Sequence, residues 1–169
     1  MPNLKDLKTR INSVTSTQKI TSAMKMVAAA KLRRAQDAAE AGRPYAKRMQ
    51  AIIASLASKA DRGSSSELLV GRPSVKTHLL VIVSADKGLC GGFNGSVSRL
   101  AKQEINRLEA EGKSIQVYIV GRKAADALGS SIADRTFARV EGVQGTNLDF
   151  ENAGEIASKI ITGFEEGQF

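Results

Sequence analysis

Residues 4–60 read LKDLKTRINSVTSTQKITSAMKMVAAAKLRRAQDAAEAGRPYAKRMQAIIASLASKA and are dominated by Ala, Lys, Arg, Met, Leu and Gln. These are among the better helix formers, so the stretch predicts one long helix. Leu4, Leu7, Ile11 and Val14 follow a 3-4 spacing. The same phase then meets Gln18, Thr21 and Lys25, and a shifted apolar set begins at Ile20, Met24 and Val27. Tyr45, Met49, Ile52 and Leu56 restore a regular stripe. Phase shifts of this kind locally unwind or overwind a supercoil. About 57 helical residues span about 85 Å, against about 26 Å for the diameter of a domain made from the rest of the chain. The helix is therefore expected to project from its own domain, with an apolar stripe that needs a partner. Gly42-Arg43-Pro44 is the place where two helices compete with one. A continuous or mildly kinked helix is expected.

Around this stretch the composition is asymmetric. Residues 1–60 carry 12 Lys/Arg against 3 Asp/Glu, and the other 109 residues carry 13 against 14, within a net charge of +8 for the 169-residue chain. Gly42 is the only glycine before residue 60 and 14 follow it, so a basic helical front gives way to a neutral, glycine-rich back. The expected division is a basic helix at 1–60, a linker at 61–76 centred on Asp61 to Ser66 with Pro73 on its far side, and an α/β domain at 77–169. Hydrophobic residues at 42% and charged residues at 25% fit a folded chain. No apolar run approaches the ~20 residues of a membrane-spanning helix, so no direct membrane insertion is expected. One Cys and one His exclude a disulfide framework, a Cys-based zinc site and a multi-histidine metal centre. The N-terminus shows no secretory leader pattern.

The back half alternates strand and helix. Thr77 to Ser84 (THLLVIVS) predicts a buried strand, and Ala85 to Asn94 a turn. An amphipathic helix follows, carrying Val97, Leu100, Ala101, Ile105 and Leu108 and ending at Gly112. Ser114 to Val120 predicts a second strand, Arg122 to Leu128 a short helix, and Asp134 to Val140 a third strand. Asp149 is placed to cap a last helix with Ala153, Ile156, Ala157, Ile160, Ile161 and Phe164 on one face. This order implies a small parallel sheet flanked by helices, without a closing strand after Phe164.

The turn GLCGGFNG (88–95) sits where phosphate-binding loops occur. It matches neither G-x-G-x-x-G nor G-x-x-x-x-G-K-[ST]. Glu109 and Glu111, at the distance of a ribose-binding acid, fall at a helix end instead of after a second strand. The competing readings are a βα turn that needs positive φ and a protein-contact loop. Cys90 pairs poorly with the only histidine, His78, near the far end of the preceding strand, over 15 Å away at ~3.3 Å per residue. A small buried thiol is expected for Cys90, and no special role for His78. Asp86-Lys87 is either a charged pair or an exposed turn. No catalytic constellation, metal or cofactor is expected. The basic helix has three readings: an arm on nucleic-acid phosphates through Lys25, Lys31, Arg33 and Arg34, a membrane-surface helix lacking aromatics before Tyr45, or a helix inserted in an acidic protein cavity. The small, polar middle segment fits the cavity best. A solvated face of a coiled coil is the plain alternative.

Residues 17–34, TQKITSAMKMVAAAKLRR, closely resemble the first signature of the F-type ATP synthase gamma subunits, and residues 86–94, DKGLCGGFN, their second. Gly42-Arg43-Pro44-Tyr45-Ala46 is also similar to the family, and the resemblance runs in order over the whole chain. It implies an N-terminal helix paired with a C-terminal helix as an antiparallel coiled coil, carrying a Rossmann-like α/β domain. It implies a non-catalytic central shaft that turns inside the ring of three alpha and three beta subunits. Its foot, with epsilon, would rest on the membrane ring of c subunits, at the cytoplasmic face of a bacterial inner membrane or its organellar equivalent. It places Met24, Lys25 and Met26 beside the acidic lever loops of beta, and Lys87 opposite a beta acidic residue. Gly88, Cys90, Gly91 and Gly92 form the signature turn. Leu4, Leu7, Ile11, Val14, Met49, Ile52 and Leu56 pack in the coiled coil. The sequence ends at Glu165 to Phe169, where the family continues through another strand and the C-terminal helix, so an incomplete α/β domain is expected. The competing functional readings are a basic-helix nucleic-acid binder and a small nucleotide-binding enzyme.

Overall fold

A computed structural model of the chain describes residues 3–61, 63–143 and 150–169. The chain divides into two compact units, Met1–Val70 and Gly71–Phe169. Asp149, expected to cap the last helix, lies outside the described residues.

The first unit is built on α1 (Leu4–Lys59), an unbroken helix of 56 residues. At 1.5 Å per residue it runs about 84 Å. Asn3 caps its start, its side chain accepting from the Lys5 amide at 3.3 Å. Asp6 in the first turn and Lys59 in the last complement the helix dipole. Thr9, Thr17 and Thr21 sit inside the helix because their hydroxyls donate back to the carbonyls of Lys5, Ser13 and Thr17. Pro44 lies within it. Its missing donor leaves only the Glu40 carbonyl without its helical partner, and on an exposed helix water can serve that oxygen. No residue of α1 is buried. The Ser64 and Ser65 amides donate to the Asp61 carbonyl, and Glu67–Val70 form one helical turn, α2, with Ser66 accepting from the Leu68 amide at 3.3 Å. This turn of helix falls inside the stretch expected as linker.

The second unit is Rossmann-like. Strands β1 (Thr77–Val83), β2 (Ser114–Val120) and β3 (Thr136–Val140) form a parallel sheet in the order β1-β2-β3. Thr77 lies opposite Ser114 and Val83 opposite Val120, while an irregularity at Val117/Tyr118 shifts the pairing with β3. Helix α3 (Phe93–Ala110) links β1 to β2, α4 (Arg122–Leu128) follows β2, and α5 (Phe150–Glu165) comes last. The period-2 alternation of the strands fixes both faces. Ile82, Ile115, Val117 and Ile119 pack against Ala101, Ile105 and Leu108 of α3 and Ala124, Ala125 and Leu128 of α4. On the opposite face the fully buried Tyr118 meets Phe137 edge-on at 6.0 Å, and Phe137 meets Phe169 at 5.3 Å. Burial and the Glu155 carboxylate raise the Tyr118 phenol above its ordinary pKa. Arg72 holds the last residues of this unit: its guanidinium donates to the Phe164 and Phe169 carbonyls and lies 4.2 Å from the centre of the Phe164 ring.

Two boundaries and one helix face differ from what the sequence predicts. The helix after the first turn begins at Phe93, so Phe93 and Asn94 are helical. Asp134 and Arg135 belong to a 3-10 segment, Gly129–Arg135, in place of the start of the third strand. Ala153, Ala157 and Ile161, expected on the apolar face of the last helix, are exposed. β1 forms one edge of the sheet among the described residues, and Val83 on it is 56% exposed.

Candidate contact surfaces

The first candidate surface belongs to α1. Met24 is 52% exposed and Met26 66%, and Lys25 between them is also exposed. Leu4, Leu7, Ile11 and Val14 near one end, and Met49, Ile52 and Leu56 near the other, are all exposed. These exposed large apolar side chains, with Lys and Arg among them, make α1 a candidate interaction surface. Between the two regular sets, Ala28, Ala29 and Ala30 narrow the helix where close approach of another surface costs least.

The second candidate surface is the turn between β1 and α3, and buried polar groups build it. Ser84, directly after β1, is 1% exposed. Its amide donates to the Val120 carbonyl at 2.8 Å, its hydroxyl donates to the Gly121 carbonyl at 3.2 Å and accepts from the Ala124 amide at 2.9 Å. Asp86 comes next. One of its carboxylate oxygens accepts from the Arg122 amide and the other from the Gly142 amide, both at 3.1 Å. A single carboxylate thus ties together the segments that leave β1, β2 and β3. Asn94 holds the turn from the other side. Its Oδ1 accepts from the Ala85 amide at 3.0 Å, and its Nδ2 reaches the Lys87 carbonyl at 3.5 Å and Cys90 Sγ at 3.0 Å. Asn94→Ala removes the acceptor for a half-buried amide and both donors of the turn. We expect it to cost about 1–3 kcal/mol, read as a lower midpoint of denaturant unfolding.

Between these clasps Lys87 is exposed. Lys87 and Arg122 line one groove with Asp86, Glu141 and Gly142. Glu141 is ion-paired with Arg139, and Arg122 lies 4.0 Å from Asp126. Of the signature glycines only Gly91 takes a positive φ, +58°; Gly88 and Gly92 do not. The positive φ expected of the turn is shared instead with Leu89, at +63°. Cys90 is exposed, which corrects the expected buried thiol. The turn carries it outside the core, where the Asn94 amide donates to its sulfur. Glu109 and Glu111, weighed as ribose acids, are engaged with Arg135 and Arg107 on the surface. Among the described residues no three His, Cys, Asp or Glu converge as a metal site, and no helix is long and apolar enough to cross a membrane.

Lys87, Gly88, Cys90, Gly91 and Gly92 were the expected site residues; Asp86 was weighed only as a charged partner of Lys87 or part of an exposed turn, and Asn94 had no expected role, yet Asp86 binds the Arg122 and Gly142 amides. The contacts of Asp86 span 36 and 56 residues of sequence, so no local pattern announces them. Asn94 carried a signal, a polar residue ending a glycine-rich turn before an apolar helix, but it satisfies the turn and not the helix end.

Residues 3–169 match the sequence model of the ATP synthase family. The ATP synthase gamma chain of Dinoroseobacter shibae is 49% identical over 170 residues, covering all of this chain and 59% of that protein. The gamma chain of Parvibaculum lavamentivorans is 51% identical over 170 residues, covering all of this chain and 58% of that protein. A chain from the central stalk and c-ring structure of the Tetrahymena thermophila mitochondrial ATP synthase superposes with a TM-score of 0.61. It is 31% identical, and the match covers 85% of this chain and 59% of that one. The chain therefore spans roughly three fifths of the length of these relatives.

Proposed function

Because this chain belongs to the ATP synthase gamma family, we propose that it acts as part of a central rotor shaft and performs no catalysis itself. In this reading α1 lies in the cavity of a ring of three alpha and three beta subunits. Rotation of a membrane ring of c subunits, passed on through a foot shared with epsilon, turns α1 against the beta subunits and changes their affinity for nucleotide. The complex sits on the cytoplasmic face of a bacterial inner membrane, or the organellar equivalent.

The observation that carries the reading is α1 itself: 56 unbroken residues, none buried, with the first family signature at its exposed middle. A shaft has to be stiff, and it has to bind the beta conformations unequally, since equal contact with all of them shifts no population. The apolar faces, the narrow alanine section and the cations distribute unlike surfaces along and around α1. Met24, Lys25 and Met26 are proposed to meet the acidic lever loops of beta, and Lys87 an acidic residue at the mouth of the ring. Leu4, Leu7, Ile11, Val14, Met49, Ile52 and Leu56 are proposed as one side of a coiled coil.

The test is Lys87→Ala in the assembled complex. Coupled ATP turnover should fall about fivefold, the equivalent of ~1 kcal/mol of lost ion-pair contact. The affinity of an isolated beta subunit for nucleotide should stay as it was. Unchanged coupling would remove the contact role of Lys87.

A further inference from the structure

Asn94-Gly95 is the only Asn-Gly pair in the chain. The side-chain amide of an asparagine is open to attack by the main-chain nitrogen of the next residue. Glycine obstructs that approach least, having no Cβ and a free choice of φ. Asn12, Asn106 and Asn152 are followed instead by Ser13, Arg107 and Ala153. Asn94 is half-buried as the second residue of α3, and Gly95 beside it is exposed. The Gly95 amide belongs to the first turn, whose donors a helix leaves free. A Cβ built at Gly95 would meet nothing within 4 Å, so no neighbour blocks movement there. Helical backbone at Asn94 turns the following nitrogen away from the side-chain carbon, so attack requires this first turn to open. What keeps it closed is the hold of Asn94 itself: Oδ1 accepts from the Ala85 amide at 3.0 Å, and Nδ2 donates to Cys90 Sγ at 3.0 Å and reaches the Lys87 carbonyl at 3.5 Å. Against that hold stands the left-handed Leu89, φ +63° and 96% exposed, whose strain is relieved on opening and is repaid by no packing.

We propose that Asn94 is a site of spontaneous deamidation, gated by local opening of the turn between β1 and α3. Hydroxide removes the Gly95 amide proton, and the nitrogen forms a bond to Asn94 Cγ. The bond from Cγ to Nδ2 breaks, and Nδ2 takes a proton from water and leaves as ammonia. Water then opens the cyclic imide at either of its carbonyls. One product is aspartate; the other is an isoaspartyl linkage, whose main chain runs through the former side chain. No oxidation or reduction occurs. Aspartate keeps an acceptor for the Ala85 amide but has no donor for the Lys87 carbonyl or Cys90 Sγ. The isoaspartyl product also adds a methylene to the main chain at the second residue of α3. Either way the turn loses its clasp on the Asn94 side, and the change is not reversed by refolding.

The experiment incubates the intact chain at mildly alkaline pH, digests it with trypsin and follows the peptide 88–99 by mass spectrometry, with a sample digested at the start as background. Asn94 should deamidate at least about tenfold faster than Asn12, Asn106 and Asn152. Denaturant below the unfolding midpoint should already raise the rate, because fraying of one helical turn sets it. Gly95→Ala should slow the reaction about tenfold or more, with an unfolding midpoint equal to the parent's or higher, since alanine favours the helix. The modified fraction, separated by its added negative charge, should unfold at a lower denaturant concentration than the parent. A rate at Asn94 no higher than at the other asparagines would overturn the site, as would a folded Gly95→Ala chain that reacts at the parent's rate. A rate that rises only with global unfolding would overturn the gate, and an unchanged midpoint of the modified fraction would overturn the loss of the clasp.

Discussion

Gly121→Ala is expected to unfold the α/β unit. Gly121 follows β2 without an intervening loop and adopts φ +96° and ψ 142°, a region that only glycine occupies readily. A Cβ placed there would lie 2.1 Å from the Ser84 carbonyl oxygen and 2.7 Å from its carbon. Those are backbone atoms of the residue that directly follows β1, so relief requires separating the end of β1 from that of β2. The same shift would break the hydrogen bond from the Gly121 amide to the Val140 carbonyl, at 2.8 Å, and the Ser84 network that starts α4. We expect a loss of more than about 4 kcal/mol, a large share of the stability of a unit this size. Gly129 provides the comparison. Its φ is +50° and ψ −131°, also a glycine region, but a Cβ there meets nothing within 4 Å, so Gly129→Ala should cost only the backbone strain, about 1–3 kcal/mol. Circular dichroism melts of both variants would separate them, and similar melting temperatures would contradict the geometry.

The second large effect concerns α1. Ala28, Ala29 and Ala30 touch no core, since α1 buries no residue. Replacing all three with glycine therefore removes no packing within the chain and leaves every charge in place. It lowers helix stability by about 1 kcal/mol per residue, about 3 kcal/mol together, in the middle of the longest element. For a shaft that transmits twist, local melting there should cut coupled turnover in the assembled complex severalfold. ATP hydrolysis by a ring of alpha and beta subunits alone would be unaffected. Full coupling in the triple variant would show that stiffness of this section is not needed.

Much of this architecture was legible in the residues because burial imposes period on sequence. THLLVIV and SIQVYIV are short, β-branched and bounded by turns, and they are β1 and β2. Arg122 to Leu128 was expected as a helix and is α4. Leu4 to Lys59 reads as helix through Pro44 because an exposed helix loses only one internal bond there. The segment Gly129–Arg135 was misread in part because a 3-10 turn has no hydrophobic period to reveal it. In the turn, the run of glycines announced an unusual backbone, yet it could not say which residues take positive φ. Leu89 has the wrong residue type for that conformation, and Gly88 the right type without the conformation. The Asp86 clasp depends on Arg122 and Gly142, which only the folded sheet brings together.

Hydrogen–deuterium exchange along Leu4 to Leu56 decides the matter most directly, with the chain first free and then bound to the alpha–beta ring. If other subunits enclose this segment, amides near Met24 to Met26 exchange fast in the free chain and slow by at least about 100-fold on assembly. Equal exchange in the two states would mean that the segment has no place inside the ring.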